Sequence, residues 1–308
     1  FMKVIFMGTP DFSTGVLESI IEAGHEVTAV VTQPDKPKGR GHEMQFTPVK
    51  EVALKYNLPV LQPKKIRDPE VVAQLEEIPA DICVVVAFGQ IIPKSILEMK
   101  KYGCINVHAS LLPAYRGAAP IQWAVIDGEE ESGVTVQQMD EGVDTGDILK
   151  IVTTPLAADE TGGSLFDRLA VIGAKALTDT LVEIENGTVK ATPQQGEASH
   201  AGKLDKALGK IDFNKTAVQV ERLIRGLNPW PSAYTFFNDK TLKIWKAEVV
   251  DCDSSYAPGT VYDVNKKSFS IACAEGGIKV LELQLEGKKR MDTESFLRGT
   301  EVNEGISL

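Results

Sequence analysis

Apolar runs too continuous for a half-exposed sheet alternate with helical stripes through the first half of the chain. Residues 3–7 read as a buried strand, Gly8-Thr9-Pro10-Asp11-Phe12-Ser13 as a turn, and residues 14–23 as a helix that Gly24 can close in the left-handed conformation. Val27-Thr28-Ala29-Val30-Val31 supplies a second strand, and strand, helix, strand within about 30 residues is a βαβ unit. Helical patterns follow at 48–56, 69–75 and 94–99, with a short strand at 59–61 and a central one at 81–88. A strand from Gly103 ends at His108, residues 119–126 form a short helix, and strands at 133–139 and 148–154 flank an acidic loop. Leu165, Leu169, Ile172, Ala176, Leu177, Leu181 and Ile184 make one apolar stripe, predicting a long helix over 164–184. The expected fold class is α/β, a doubly wound, mostly parallel, Rossmann-like sheet.

The pattern changes after residue 190. Residues 192–210 are polar without periodicity, as an interdomain linker would be. A helix at 216–227 is stopped by Asn228-Pro229-Trp230-Pro231, and five short strands follow at 233–237, 241–250, 259–262, 269–272 and 279–285. Gly, Asn, Asp and Pro turns separate them, which predicts a small OB-like β-barrel. The expected division is a catalytic domain over 1–190, a linker over 191–208 and a C-terminal domain over 209–308, in keeping with a length of 308 residues.

Charge sharpens this division. The net charge is −10, yet residues 209–308 carry 14 Lys and Arg against 14 Asp and Glu, so the acidic excess lies wholly before them. A polyanionic partner would have to use local basic patches. The clearest is Lys36-Pro37-Lys38-Gly39-Arg40-Gly41-His42, a basic loop inside an acidic domain. No apolar run approaches the roughly 20 residues that span a bilayer, and the four cysteines lack CxxC spacing, as in a cytoplasmic protein with reduced thiols. The first turn has one glycine and no GxGxxG, which weighs against a nicotinamide cofactor.

Chemistry concentrates at the end of the apolar run Gly103 to Val107, in Ile105-Asn106-Val107-His108. Side chains alternate along a strand, so Asn106 and His108 share one face. A carboxamide there can hold a developing oxyanion, and an imidazole can move protons. Met139-Asp140-Glu141-Gly142-Val143-Asp144-Thr145-Gly146-Asp147 offers carboxylates to orient the imidazole, with spacing leaving Asp140, Asp144 and Asp147 all open. A structural Asn–His pair, or one His with several acids around a cation, would use the same residue types, though no second His is near.

Asn106-x-His108-x-Ser110-Leu111-Leu112-Pro113-x-Tyr115-Arg116-Gly117, followed by Asp144-Thr145-Gly146-Asp147, resembles the signature of the folate-dependent formyltransferases. From Lys3 to near its end, the chain is similar to the members that act on methionyl initiator tRNA. The resemblance implies 10-formyl-tetrahydrofolate as formyl donor, no metal, and a catalytic trio of Asn106, His108 and Asp144. It implies that folate lies against Phe88, Gly89, Gln90, Ile91 and Ile92, against Ser110, Leu111, Leu112 and Pro113, and against Asp140 and Val143. Lys36, Lys38 and Arg40 would approach the tRNA acceptor end, with Lys203 and Lys206 further along its path, on a protein acting as a monomer. The alternatives are an amino-sugar-nucleotide formyltransferase, which shares the trio, and an RNA-binding protein with an inactive enzyme domain. The intact trio weighs against the second.

Overall fold

A computed structural model describes residues 1–308 apart from 40 and 42. The chain forms two compact units, the first made of Phe1–Gly117, Glu131–Thr154 and Phe166–His200, the second of Ala118–Glu130, Pro155–Leu165 and Ala201–Leu308. Both are discontinuous in sequence, unlike the contiguous domains expected from composition. Their helices, in chain order, are α1 (Asp11–Glu22), α2 (Pro48–Lys55), α3 (Pro69–Glu77), α4 (Lys94–Leu97), α5 (Pro120–Ile126), α6 (Gly162–Asn186), α7 (Ala217–Gly226) and α8 (Thr293–Gly299).

In the first unit β1 (Lys3–Gly8), β2 (Glu26–Val31), β3 (Val60–Leu61), β4 (Ile82–Val86), β5 (Cys104–His108), β6 (Glu131–Gln138) and β7 (Asp147–Pro155) form one sheet, ordered β7-β6-β5-β4-β1-β2-β3. Pairing is parallel for β1 with β2 and β4, β2 with β3, and β4 with β5, whereas β6 runs antiparallel to β5. Strands covered on both faces need apolar residues at every position, and β4 is buried throughout. One face sends Ile5, Met7, Val31, Cys83, Val85 and Cys104 into a core with Leu75 of α3 and Ile96 of α4. On the other, Gly173 of α6 lies so close to β5 that a Cβ there would come within 3.1 Å of Val107 Cγ1. Because β2 and β3 continue to one side of β1 and β4 and β5 to the other, the carboxyl ends of β1 and β4 form the topological switch point where such sheets bind ligands.

The polar stretch after β2 is a small antiparallel ribbon, Lys36–Pro37 against Met44–Gln45, closed by Lys38 N–H donating to Glu43 O over 2.8 Å. Its strands lack apolar alternation, so periodicity could not reveal them.

The second unit holds β8 (Ala233–Phe237), β9 (Lys240–Val250), β10 (Val261–Tyr262), β11 (Phe269–Ala272), β12 (Gly277–Leu285) and β13 (Met291–Asp292). Their order is β8-β9-β12-β11-β10, with β13 also on β12, and the paired strands are antiparallel. Register shifts around Lys246 curl the sheet around Leu242, Ile244, Phe269, Val280 and Leu283, giving the OB-like form. Thr216 and Gln219 close a capping box at the start of α7. The seven-residue α8, too short for periodicity to declare, is capped by Asp292 and buries Phe296 in this core. The four cysteines are free, and among the described residues no helix is long and apolar enough to cross a membrane.

Candidate active site

Cys104, Asn106 and His108 share one parity on β5, and Cys104 belongs to the core that α3 and α4 cover. Nearer the carboxyl end the same face carries the polar pair, with Asn106 9% and His108 7% exposed. Groups this buried must find partners. Asn106 Nδ2 donates to Val85 O on β4 at 2.8 Å, and Asn106 Oδ1 accepts from Gln137 Nε2 on β6 at 2.9 Å. His108 Nε2 lies 2.8 Å from Tyr115 O, an atom that can only accept, so Nε2 carries a proton in this arrangement.

Asp144 is the carboxylate beside the ring. Its Oδ1 is 3.6 Å from His108 Nδ1 and accepts from Gln137 Nε2 at 3.1 Å, while its Oδ2 accepts the Gly117 N–H at 2.8 Å. The other candidates serve the loop: Asp140 Oδ1 accepts from Gly142 N and Thr145 Oγ1, and Asp147 is an exposed residue opening β7. Both ring nitrogens of His108 face oxygens. At 3.6 Å the Nδ1 edge is not bonded directly to Asp144, leaving room for a third atom to engage both.

Each loop around the pair turns on one non-glycine residue at positive φ: Ala87 at 48°, Tyr115 at 55° and Asp144 at 54°. After β4, Phe88 and Ile92 send their side chains into the core. That leaves backbone, Gly89 and the 77% exposed Ile91 to meet a ligand. Gln90 is fully engaged, its Oε1 accepting from Ile66 N and its Nε2 donating to Gln33 Oε1 and Pro63 O. After β5, Ser110 Oγ donates to Ala114 O, Leu112 is buried, and Leu111 and Pro113 are partly exposed. Val143 is exposed, and Lys94 at the start of α4 lies 3.7 Å from Glu141, tying the acidic loop to the segment after β4. Among the described residues no cluster of His, Cys, Asp and Glu could hold a metal ion.

The basic ribbon is fixed at its root. Lys50 Nζ donates to Asp35 Oδ1 at 3.1 Å and Oδ2 at 3.0 Å, and sits 3.9 Å from the centre of the Phe46 ring. Gln62 Nε2 reaches both Asp35 Oδ1 and Gln33 O. The hydrogen bond from Gln62, then that from Lys50, holds the Asp35 carboxyl below the usual carboxylate range. Lys36 and Lys38 are exposed, and Arg40 lies outside the described residues. Lys203 and Lys206 are exposed on the second unit.

Three bracing residues escaped the sequence reading. Gln137 is by sequence an ordinary polar position in a strand, although a glutamine only 2% exposed must be bonded to something. Gln194 and Ser199 fall in the stretch read as linker. Gln194 donates to Asp144 O and Gly146 O and accepts from Arg116 Nη2, while Ser199 Oγ accepts from Tyr115 N. No local pattern signals partners so far away in sequence.

The family pattern described as Formyl transferase matches residues 2–181, and that described as Formyl transferase, C-terminal domain, matches 203–301. A methionyl-tRNA formyltransferase of Agathobacter rectalis is 61% identical over 305 residues, 99% of this chain and 98% of the relative. The chain belongs to the methionyl-tRNA formyltransferase family. One from Clostridioides difficile is 47% identical over the whole of both chains. Among solved structures, an N-formyltransferase of Helicobacter canadensis, complexed with folinic acid and dTDP-3-aminofucose, has a TM-score of 0.68 at 20% identity, covering 94% of this chain and 100% of its own. HypX of Aquifex aeolicus, complexed with tetrahydrofolic acid, has a TM-score of 0.64 at 16% identity, covering 100% of this chain but 51% of its own. At such identity these two likenesses speak for the fold.

Proposed function

We propose that the chain transfers a formyl group from 10-formyl-tetrahydrofolate to the α-amine of methionyl initiator tRNA, with Asn106, His108 and Asp144 acting on the reacting atoms. The supporting observation is the arrangement of that trio within a chain of this family: two donors on one strand face and a carboxylate 3.6 Å from the imidazole. Loops with available backbone suit a flat pterin rich in donors and acceptors, and the exposed Ile91 and Val143 offer it apolar contact. The basic ribbon is the acceptor-end contact in this reading, Lys203 and Lys206 of the second unit are further tRNA contacts, and one chain suffices.

Attack by the neutral amine on the formyl carbon produces a tetrahedral adduct with charge on its oxygen. Asn106 spends one Nδ2 proton on Val85 O and keeps the second for that oxygen. His108 keeps its Nδ1 edge. Donors already in place for such charge are each worth about 3–4 kcal/mol. Asp144 stabilises the imidazolium and, directly or through water, helps the amine proton reach the departing folate nitrogen. The cycle closes without a covalent enzyme intermediate.

The test is incubation with 10-formyl-tetrahydrofolate and either charged initiator tRNA or an amino-sugar nucleotide. Formylation of the tRNA is expected; formylation of the sugar alone would overturn the reading.

A further inference from the structure

Between the carboxamide and the acid stands a side chain that the proposed chemistry leaves unused. Gln137 is the register partner of Asn106 across the antiparallel pair β5 and β6. Its Oε1 accepts the Gly146 N–H at 3.1 Å, and its Nε2 donates to Asn106 Oδ1 at 2.9 Å and Asp144 Oδ1 at 3.1 Å. A backbone N–H can only donate, so the end of Gln137 facing Gly146 must be its oxygen. Its nitrogen therefore faces the site, with one proton for each of two acceptors.

That direction propagates. Asn106 must turn its oxygen to Gln137, so its nitrogen faces Val85 O and retains one N–H. Donors run one way from Gly146 through Gln137 and Asn106 to Val85, and each bond in such a chain strengthens the next. If Gln137 presented an acceptor instead, Asn106 would meet an acceptor with its oxygen either way: unturned it faces residue 137, and turned over it faces Val85 O and puts a carbonyl oxygen where an oxyanion must be received. The same Nε2 steadies the Asp144 oxygen that faces His108.

We propose that Gln137 is a positioning residue that sets the direction of the Asn106 amide and the aim of Asp144, acting on formyl transfer through both. The proposal rests on the reading of the trio given above. It does not require Gln137 to touch either substrate, which separates it from a binding role.

The experiment compares wild type, Gln137→Glu, Gln137→Met, Asn106→Ala and the Gln137→Met/Asn106→Ala double variant as full chains, in steady state with 10-formyl-tetrahydrofolate and charged initiator tRNA. Gln137→Glu keeps the shape and the bond from Gly146 but reverses the other end, so kcat should fall roughly 100-fold, the scale of losing an oxyanion donor. Gln137→Met should lose about 10-fold, with both KM values within about threefold of wild type, because only transition-state contacts suffer. Residues acting as one unit are non-additive, so the Gln137→Met loss should shrink at least about threefold in the Asn106→Ala background. Should the Met variant fail to fold, the kcat of the nearly isosteric Glu variant decides. Wild-type kcat in Gln137→Glu, a loss confined to KM, or an undiminished loss in the Asn106→Ala background would each overturn the proposal. An inactive wild type would instead remove the reading of the trio beneath it.

Discussion

The strand-end trio and the basic ribbon belong to the same unit yet are built on opposite principles. Around Asn106, His108 and Asp144 each hydrogen-bonding partner comes from a neighbouring strand or braced loop, and the groups are buried or nearly so. The ribbon is held at its root by Asp35, Lys50 and Gln62, while Lys36 and Lys38 stand in solvent. Stabilising charge that exists only in a transition state requires donors fixed before the substrate arrives, since reorientation would use up what they contribute. Holding a long polyanion requires reach and charge, which an exposed tip on a fixed root supplies. In the proposed reading, preorganisation and reach are separated into two places on one scaffold.

The largest effects should fall on the trio. Asn106→Ala, His108→Ala and Asp144→Ala should each lower kcat by about 100-fold or more while folate affinity stays within about threefold. Near-normal turnover in any of them removes that residue from the mechanism. Arg40→Ala should come next, lowering kcat/KM for charged tRNA by about 10- to 100-fold with folate binding kept. Its penalty should narrow as salt is raised, because counterion release drives phosphate contacts. Equal loss at all salt concentrations would mean that Arg40 acts like a trio member.

The root of the ribbon predicts a smaller change. Asp35→Asn and Lys50→Met loosen the clamp without touching the tip, so KM for the tRNA should rise about three- to tenfold at unchanged kcat. A fall in kcat with constant KM would erase the contrast between the two regions. Smallest of all is a pH effect. The depressed carboxyl of Asp35 stabilises the fold above its unfolded value, and that contribution is lost only as pH falls through the lower folded value. The ratio of KM between Asp35→Asn and wild type should therefore stay constant from pH 8 to about pH 5. A ratio drifting towards one at pH 5–6 would show Asp35 already protonated there.

Much of the first region could be read from residue order. Period-two alternation places Asn106 and His108 on one face, and unbroken apolar runs mark β1 and β4 as doubly covered. Spacing alone left three acids open; distance to His108 separates Asp144 from Asp140 and Asp147. What sequence could not carry were partners at long range. Gln137 matters because β6 runs antiparallel and in one register with β5, and Gln194 because a polar stretch read as linker folds back onto the Asp144 loop. Phe88 and Ile92 illustrate the converse: the place of their loop after β4 is legible in sequence, but the backbone turn sends both side chains into the core.

The left-handed residues at 87, 115 and 144 set a limit on anyone who would make this protein hardier. A non-glycine side chain in that conformation costs on the order of 1–2 kcal/mol, so each position is a natural target for a stabilising glycine. Ala87 offers the exchange with no functional group to lose. At Asp144 the strained residue and the proposed acid are the same, and relief there would remove the carboxylate. Heat tolerance and turnover are thus independent at one bend and opposed at another.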